Sequence, residues 1–198
     1  MAQPVHHLIL KNISRFIQLD AAEEAYFLSL LKPLHIRKKE YLIREGSRTR
    51  HQYFVNSGCL RTYLRGRDGM EHNVQFSLED WWTGDMYSLL RRTPARFNVV
   101  ALEDTELLSI HQDDLEELYL KVPKFERYFR HLLQNAFVSF QERILSAMSD
   151  TAAERYVQFR RKYPQMDRRI PQHHIASFLG ITPESLSRVR RQLMQRKK

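Results

Sequence analysis

Cysteine is almost absent from this 198-residue chain, Cys59 being the only one. A disulfide framework, a four-cysteine zinc site and a cysteine-held iron–sulfur cluster are therefore excluded within one chain. Long apolar runs are missing as well, and no stretch approaches the roughly 20 residues that cross a bilayer. The start, MAQPVHHLILKNISRF, has no basic segment ahead of a long apolar run, so no secretory leader is expected and the cytoplasm is the expected location. Acid is also scarce, but only locally. Residues 1–150 carry 20 basic and 20 acidic side chains, whereas Thr151 to Lys198 carry 12 basic and 3 acidic, so the whole net charge of +9 lies in the last 48 residues. A neutral body with a basic end points to a part that handles a polyanion, either nucleic acid or an acidic membrane surface.

What is present suffices for a folded protein: 42% of the residues are hydrophobic, enough for one moderate core and a small second one. Leu8 to Leu34 spaces its apolar residues as short helices broken near Leu19-Asp20, and Pro33 ends that pattern. From His35 to Ile110 short β-branched and aromatic runs alternate with turn signals at Glu45-Gly46, Ser57-Gly58, Asp68-Gly69 and Gly84-Asp85, every 10 to 16 residues. The runs Tyr53-Phe54-Val55, Leu60 to Leu64, Asn73 to Phe76, Phe97 to Ala101 and Leu107 to Ile110 read as strands of a small antiparallel β-barrel or roll. Asp113 to Leu120 reads as a short helix. Between Pro123 and Asp150 the residues Phe125, Phe129, Leu132, Leu133, Ala136, Phe137, Phe140, Ile144, Leu145 and Met148 form a helical stripe about seven turns long, which needs either the roll or a second copy of the chain to cover it.

Function concentrates in Gln172 to Leu193. Ile175 and Leu179 share one helix face with small Ala176 beside them, and Gly180 supplies a turn that only glycine makes without strain. Thr182 is placed to cap a second helix, Pro183 takes its first position, and Ile181 can staple onto Leu186. Leu186, Val189 and Leu193 form its inner stripe, which leaves Glu184, Ser185, Arg188, Arg191, Gln192 and Gln195 outward. The spacing from Ala176 through Gly180 to Leu186 and Val189 is that of a helix-turn-helix, whose second helix enters the major groove of DNA. The plainer alternative is a solvated helical hairpin in which Glu184 and Arg188 form an i,i+4 ion pair. A membrane surface is disfavoured, because no Trp or Phe lies on this helix to enter an interface. Adjacent pairs such as His6-His7 and His173-His174 cannot face one way and no histidine has metal spacing with a carboxylate, so no metal site is expected. No acid–base or nucleophile pair emerges, Cys59 included, so an enzyme is not expected.

With these landmarks in this order the chain resembles the Crp/Fnr (cyclic-AMP receptor protein-like) family of bacterial transcription regulators over nearly its full length. The resemblance implies an α+β fold: an N-terminal antiparallel β-roll of the cyclic-nucleotide-binding, jelly-roll type with flanking helices over residues 1–120, a long dimerisation helix over 121–150, and a helix-turn-helix domain over 151–198. The wing that usually follows is expected to be short or absent. It also implies a homodimer that reads a double-stranded DNA operator, touches RNA polymerase and answers to a small-molecule effector. The family's recognition helix carries Arg-Glu and, four residues on, Arg; here these positions are Pro183, Glu184 and Arg188, so two of the three are kept. Glu184 and Arg188 are expected to read bases, and Thr182, Ser185, Arg191, Arg196, Lys197 and Lys198 to hold the helix on the phosphates. Cyclic-AMP-binding members use Gly-Glu for the ribose and Arg-Ser or Arg-Thr for the phosphate. This chain has Gly84-Asp85, with a shorter acid, and Ala95-Arg96, with the arginine one residue late. A one-residue slip in a strand turns a side chain to the other face, so phosphate capture by Arg96 requires a local bulge or a different loop path; the effector pocket, for a cyclic nucleotide or another small ligand, is placed at Gly84, Asp85 and Arg96. A rival reading remains open: a ligand- or partner-binding module whose basic tail contacts protein, RNA or membrane.

Overall fold

Three apolar residues in a row, Tyr53-Phe54-Val55, mean in a strand that both faces are covered. They lie in β3 (His51–Ser57). Tyr53 and Val55 enter one cluster with Ile36, Ile43, Leu60, Ala95, Val99, Ala101 and Leu107, while Phe54 points the opposite way, into a second cluster with Leu108 and Ile110. The computed structural model that shows this describes residues 5–195; Arg196, Lys197 and Lys198 lie outside the described residues.

The chain forms two compact units. The first comprises the described residues up to Leu64 together with Gln75–Gln134. Its strands are β1 (Lys32–Ile36), β2 (Tyr41–Ile43), β3, β4 (Leu60–Arg65), β5 (Glu71–Ser77), β6 (Trp82–Thr83), β7 (Asn98–Ala101) and β8 (Thr105–His111), with β4 and β5 running on into the second unit. They make two four-stranded sheets, ordered β1-β8-β3-β6 and β2-β7-β4-β5, with antiparallel pairings. The cluster around Val55, Leu60 and Val99 draws on strands of both sheets, and Arg61, Thr62 and Tyr63 of β4 and Asn98 of β7 are buried as well. Gly58 sits in the β3–β4 turn at φ +98°, where an added Cβ would strike Thr105 and the Asp104 carbonyl. No other residue type fits there without displacing backbone.

Helices cover the outer face of the first sheet: α1 (His7–Ile13), α2 (Ala21–Leu30), α4 (Gln112–Lys121) and the start of α5 (Lys124–Ser149), with α3 (Met86–Arg91) following β6. The helix break expected near Asp20 is a capping box, in which Asp20 accepts from the Glu23 amide and Glu23 from the Asp20 amide. Trp82 is a core residue, meeting Phe54 and Phe129 edge-on at 5.6 and 5.3 Å between ring centroids. Its indole N–H donates to the Tyr128 hydroxyl at 2.8 Å, and that hydroxyl donates to Asn12 Oδ1 at 2.6 Å. Asn12 in turn donates to Asp80, which pairs with Arg15 at 2.6 Å. Burial pushes the Tyr128 phenol well above its ordinary value.

The second unit comprises Arg65–Val74 and the described residues from Asn135 on. The end of α5 is followed by α6 (Ala152–Lys162), α7 (Met166–Arg169), α8 (Gln172–Leu179) and α9 (Pro183–Gln195). Its core is Tyr156, Phe159, Met166, Ile170, Ile175, Ala176, Leu179, Leu186 and Val189. Arg168 and Arg169 close the one-turn α7. The cause is tertiary: Asp167 accepts from the Tyr156 hydroxyl at 2.8 Å and meets Arg160 at 3.2 Å.

Tyr128→Phe leaves Asn12 Oδ1 and the Trp82 indole without their buried partner, and is expected to cost ~1–3 kcal/mol. A urea titration should show a lower midpoint at an unchanged slope. Burial and the bond to Asp167 push the Tyr156 phenol up to about 12, whereas an unfolded chain ionises it near ~10. The raised value disfavours ionisation in the fold, so this contribution is full below pH ~10 and is lost as pH climbs towards 12. Denaturation curves across that window should show the loss, and Tyr156→Phe should flatten it.

Candidate nucleic-acid interface

Gly180 ends α8 in the left-handed conformation, φ +66°, with its amide donating to the carbonyls of Ala176 and Ser177. The Ile181 amide returns to the Ala176 carbonyl at 3.0 Å, and the Arg155 guanidinium donates to the Leu179 carbonyl at 2.8 Å. The last carbonyls of α8 are thus satisfied, and the chain turns at once into α9. There Thr182 Oγ1 accepts from the Ser185 amide at 3.2 Å and the Thr182 carbonyl from the Leu186 amide at 3.0 Å. Leu186 and Val189 are buried and Ala176 is fully so, which lets α8 and α9 meet at close range.

The opposite face of α9 is solvent-exposed. Glu184, Ser187, Arg188 and Arg191, with Pro183, line a shallow concavity of about 440 Å³. Thr182, Glu184, Arg188 and Arg191 therefore stand open to solvent, as do Gln192 and Gln195. Ser185 is half-buried, and its hydroxyl lies 3.2 Å from that of Thr182, so it belongs to the cap. Ser187 joins the exposed face without having been expected there. Its place three residues after Glu184 and four before Arg191 was the available signal. Among the described residues no salt bridge joins Glu184 to Arg188. Hydrogen bonds from its own backbone amide and then from Thr182 hold the Glu184 carboxyl below the usual range, so it is an acceptor at neutral pH. A carboxylate suits a cytosine amino group, and a guanidinium suits guanine O6 and N7.

The residues expected around an effector are differently disposed. Asp85 is buried, and both carboxylate oxygens are occupied: Oδ1 accepts from the Ser88 amide at 3.1 Å and Oδ2 from the Arg96 amide at 2.8 Å. It caps α3, directly after Gly84. Ala95 faces into the apolar cluster of the roll, and Arg96 is exposed, its guanidinium 4.8 Å from the centroid of the Tyr87 ring. A ribose hydroxyl would need the acid and a cyclic phosphate would need the cation inside the roll. Asp85 and Arg96, as they stand, do not fit a cyclic nucleotide.

A model of the cyclic nucleotide-binding domain matches residues 33–121. The transcriptional activator protein Anr of Pseudomonas protegens is 27% identical over 165 residues, covering 78% of this chain and 67% of that protein. The fumarate and nitrate reduction regulatory protein of Vibrio cholerae is 26% identical over 171 residues, covering 78% and 65%. The chain thus spans about two thirds of the length of the curated relatives it matches. Among solved structures, the c-di-GMP-responsive global regulator CLP of Xanthomonas campestris superposes with a TM-score of 0.72 at 16% identity, covering 90% of this chain and 93% of that one. FixK2 of Bradyrhizobium japonicum gives 0.71 at 23% identity, covering 84% and 86%. The chain thus carries a domain of the cyclic nucleotide-binding type, is similar in sequence to the Anr and fumarate and nitrate reduction regulators, and shares the fold of CLP and FixK2, in keeping with its resemblance to the Crp/Fnr family.

Proposed function

We propose that the chain is a sequence-specific, DNA-binding transcription regulator that works as a homodimer. The exposed face of α9 carries this reading: Glu184, Ser187, Arg188 and Arg191 converge on it without an ion pair between Glu184 and Arg188, in the segment that holds the whole net charge of +9. Glu184 and Arg188 address base edges, while Arg191 and the capped start of α9 address phosphate.

The dimer reading rests on α5. Beyond Leu132, residues Leu133, Phe137, Phe140, Ile144 and Met148 recur at steps of three and four, and all are exposed, Phe137 at 60% and Met148 at 81%. A second copy of the same helix would cover this stripe, as two amphipathic helices do in a coiled coil. Paired in that way, the two recognition helices would stand about one DNA turn apart, ~34 Å, and read a palindrome. Control by a cyclic nucleotide is not part of this reading, because Asp85 is occupied and Arg96 faces solvent.

Selection from random duplexes should yield a palindrome whose binding weakens steeply with salt. On it, Arg188→Ala is expected to relax one position per half-site at a cost of ~1–3 kcal/mol, whereas Arg191→Ala should weaken all sequences alike and lower the salt slope by ~1. Uniform weakening by Arg188→Ala would reassign that residue to phosphate. Phe137→Glu with Ile144→Glu should yield a folded monomer in sedimentation, with operator affinity lost. Millimolar cyclic AMP should change neither the melting temperature nor operator affinity; a raised melting temperature would reveal a nucleotide site after all.

A further inference from the structure

The recognition helix pair has a support outside itself. The tip of the β4–β5 hairpin, Arg65–Val74, packs in the same unit as α8 and α9, and hydrogen bonds from its β5 arm fasten it to α8. The Asn73 amide donates to Ser177 Oγ at 3.0 Å, Ser177 Oγ donates to the Glu71 carbonyl at 2.8 Å, and the Asn73 side chain donates to the His174 carbonyl at 2.9 Å. From α5, the Arg143 guanidinium donates to the Val74 carbonyl and lies 4.9 Å from the centroid of the Phe178 ring on α8. Hairpin tip, long helix and first helix of the pair therefore meet around Asn73, Val74 and Arg143.

Nothing within α8 calls for a serine at 177. The helix packs through Ile175, Ala176 and Leu179, and alanine is the better helix former. The Ser177 hydroxyl is instead used in both directions, as acceptor and donor, by Asn73 and Glu71 of β5. Arg143 is likewise drawn out of water, and that desolvation lowers its pKa, but guanidinium remains charged at any physiological pH. Since α8 is packed onto α9, whatever holds α8 against α5 also aims α9.

We propose that Asn73, Ser177 and Arg143 form a clasp that fixes the recognition helix relative to α5, and so sets the separation of the two recognition helices in the dimer. The proposal rests on the dimeric, operator-reading function above. These are positioning residues, and none of them lies on the exposed face of α9. A dimer without the clasp still offers each helix-turn-helix to a half-site. What it loses is the match between the two half-sites, because the second contact is intramolecular only when the geometry spans it.

The test uses the full chain and the selected palindrome, with fluorescence anisotropy on three duplexes: the palindrome, the same duplex with one half-site scrambled, and one with a base pair inserted at the centre. Ser177→Ala and the double variant with Asn73→Ala should lose about tenfold on the palindrome, keep their affinity for the single half-site, and discriminate less against the inserted base pair. Ser177→Thr keeps a hydroxyl and should retain wild-type behaviour. Amide hydrogen exchange supplies a reading without DNA: the Asn73 amide should be protected in the wild type and exchange faster in Ser177→Ala. Unchanged palindrome affinity and spacing preference in the double variant would overturn the clasp. So would equal losses on palindrome and half-site, which mark a merely local role, or an unprotected Asn73 amide in the wild type. A wild-type chain that selects no palindrome overturns the regulator reading itself, before any variant is compared.

Discussion

The Tyr128 hydroxyl is the point from which the rest is hung. It donates to Asn12 and accepts from Trp82, with Tyr128 and Asn12 both buried, and so ties the first turns of α5 to α1 and to β6 at once. Apolar contacts alone would let a helix slide along a greasy sheet face. A buried hydroxyl with two fixed partners admits one register, since any shift leaves polar atoms unpaired in an apolar site.

Much of this was legible in the sequence, and for specific reasons. Residues whose meaning is local were read correctly to the residue: Gly180 as the left-handed end of α8, Thr182 as a cap and Pro183 as the first residue of α9. The apolar run from Phe125 to Met148 gave α5 within a residue at each end, Lys124–Ser149. Strands with covered faces, β3 and β8, announced themselves through β-branched and aromatic residues. The short β1, β2 and β6 did not, because β1 is mostly exposed and contains Pro33, and β6 has two residues. Nor did the attachment of Arg65–Val74 to α8. Its bonds are made by one asparagine and one serine, with neither periodicity nor charge to mark them, and the expected boundary at residue 120 assigned the whole hairpin to the roll.

The roll shows how little separates a ligand site from a core. One residue of register puts Ala95 in the apolar cluster and Arg96 in solvent, stacked on Tyr87. The acid that could have met a ribose caps α3 and anchors the Arg96 amide instead. The fold is kept while the chemistry that gives its family model a name is spent on internal hydrogen bonds, and the function has to be argued from the exposed side chains of α9.

The second unit is discontinuous in sequence. Asn73 and Ser177 are 104 positions apart, so during synthesis the β4–β5 hairpin emerges long before the helix it will hold. At ~5–20 residues per second that delay is several seconds, ample time for the roll to form first. The second unit is complete only when both its pieces, Arg65–Val74 and the residues from Asn135 on, have been made. A piece cut at Asp150 would carry the reading helix without the β4–β5 hairpin tip that belongs to the same unit.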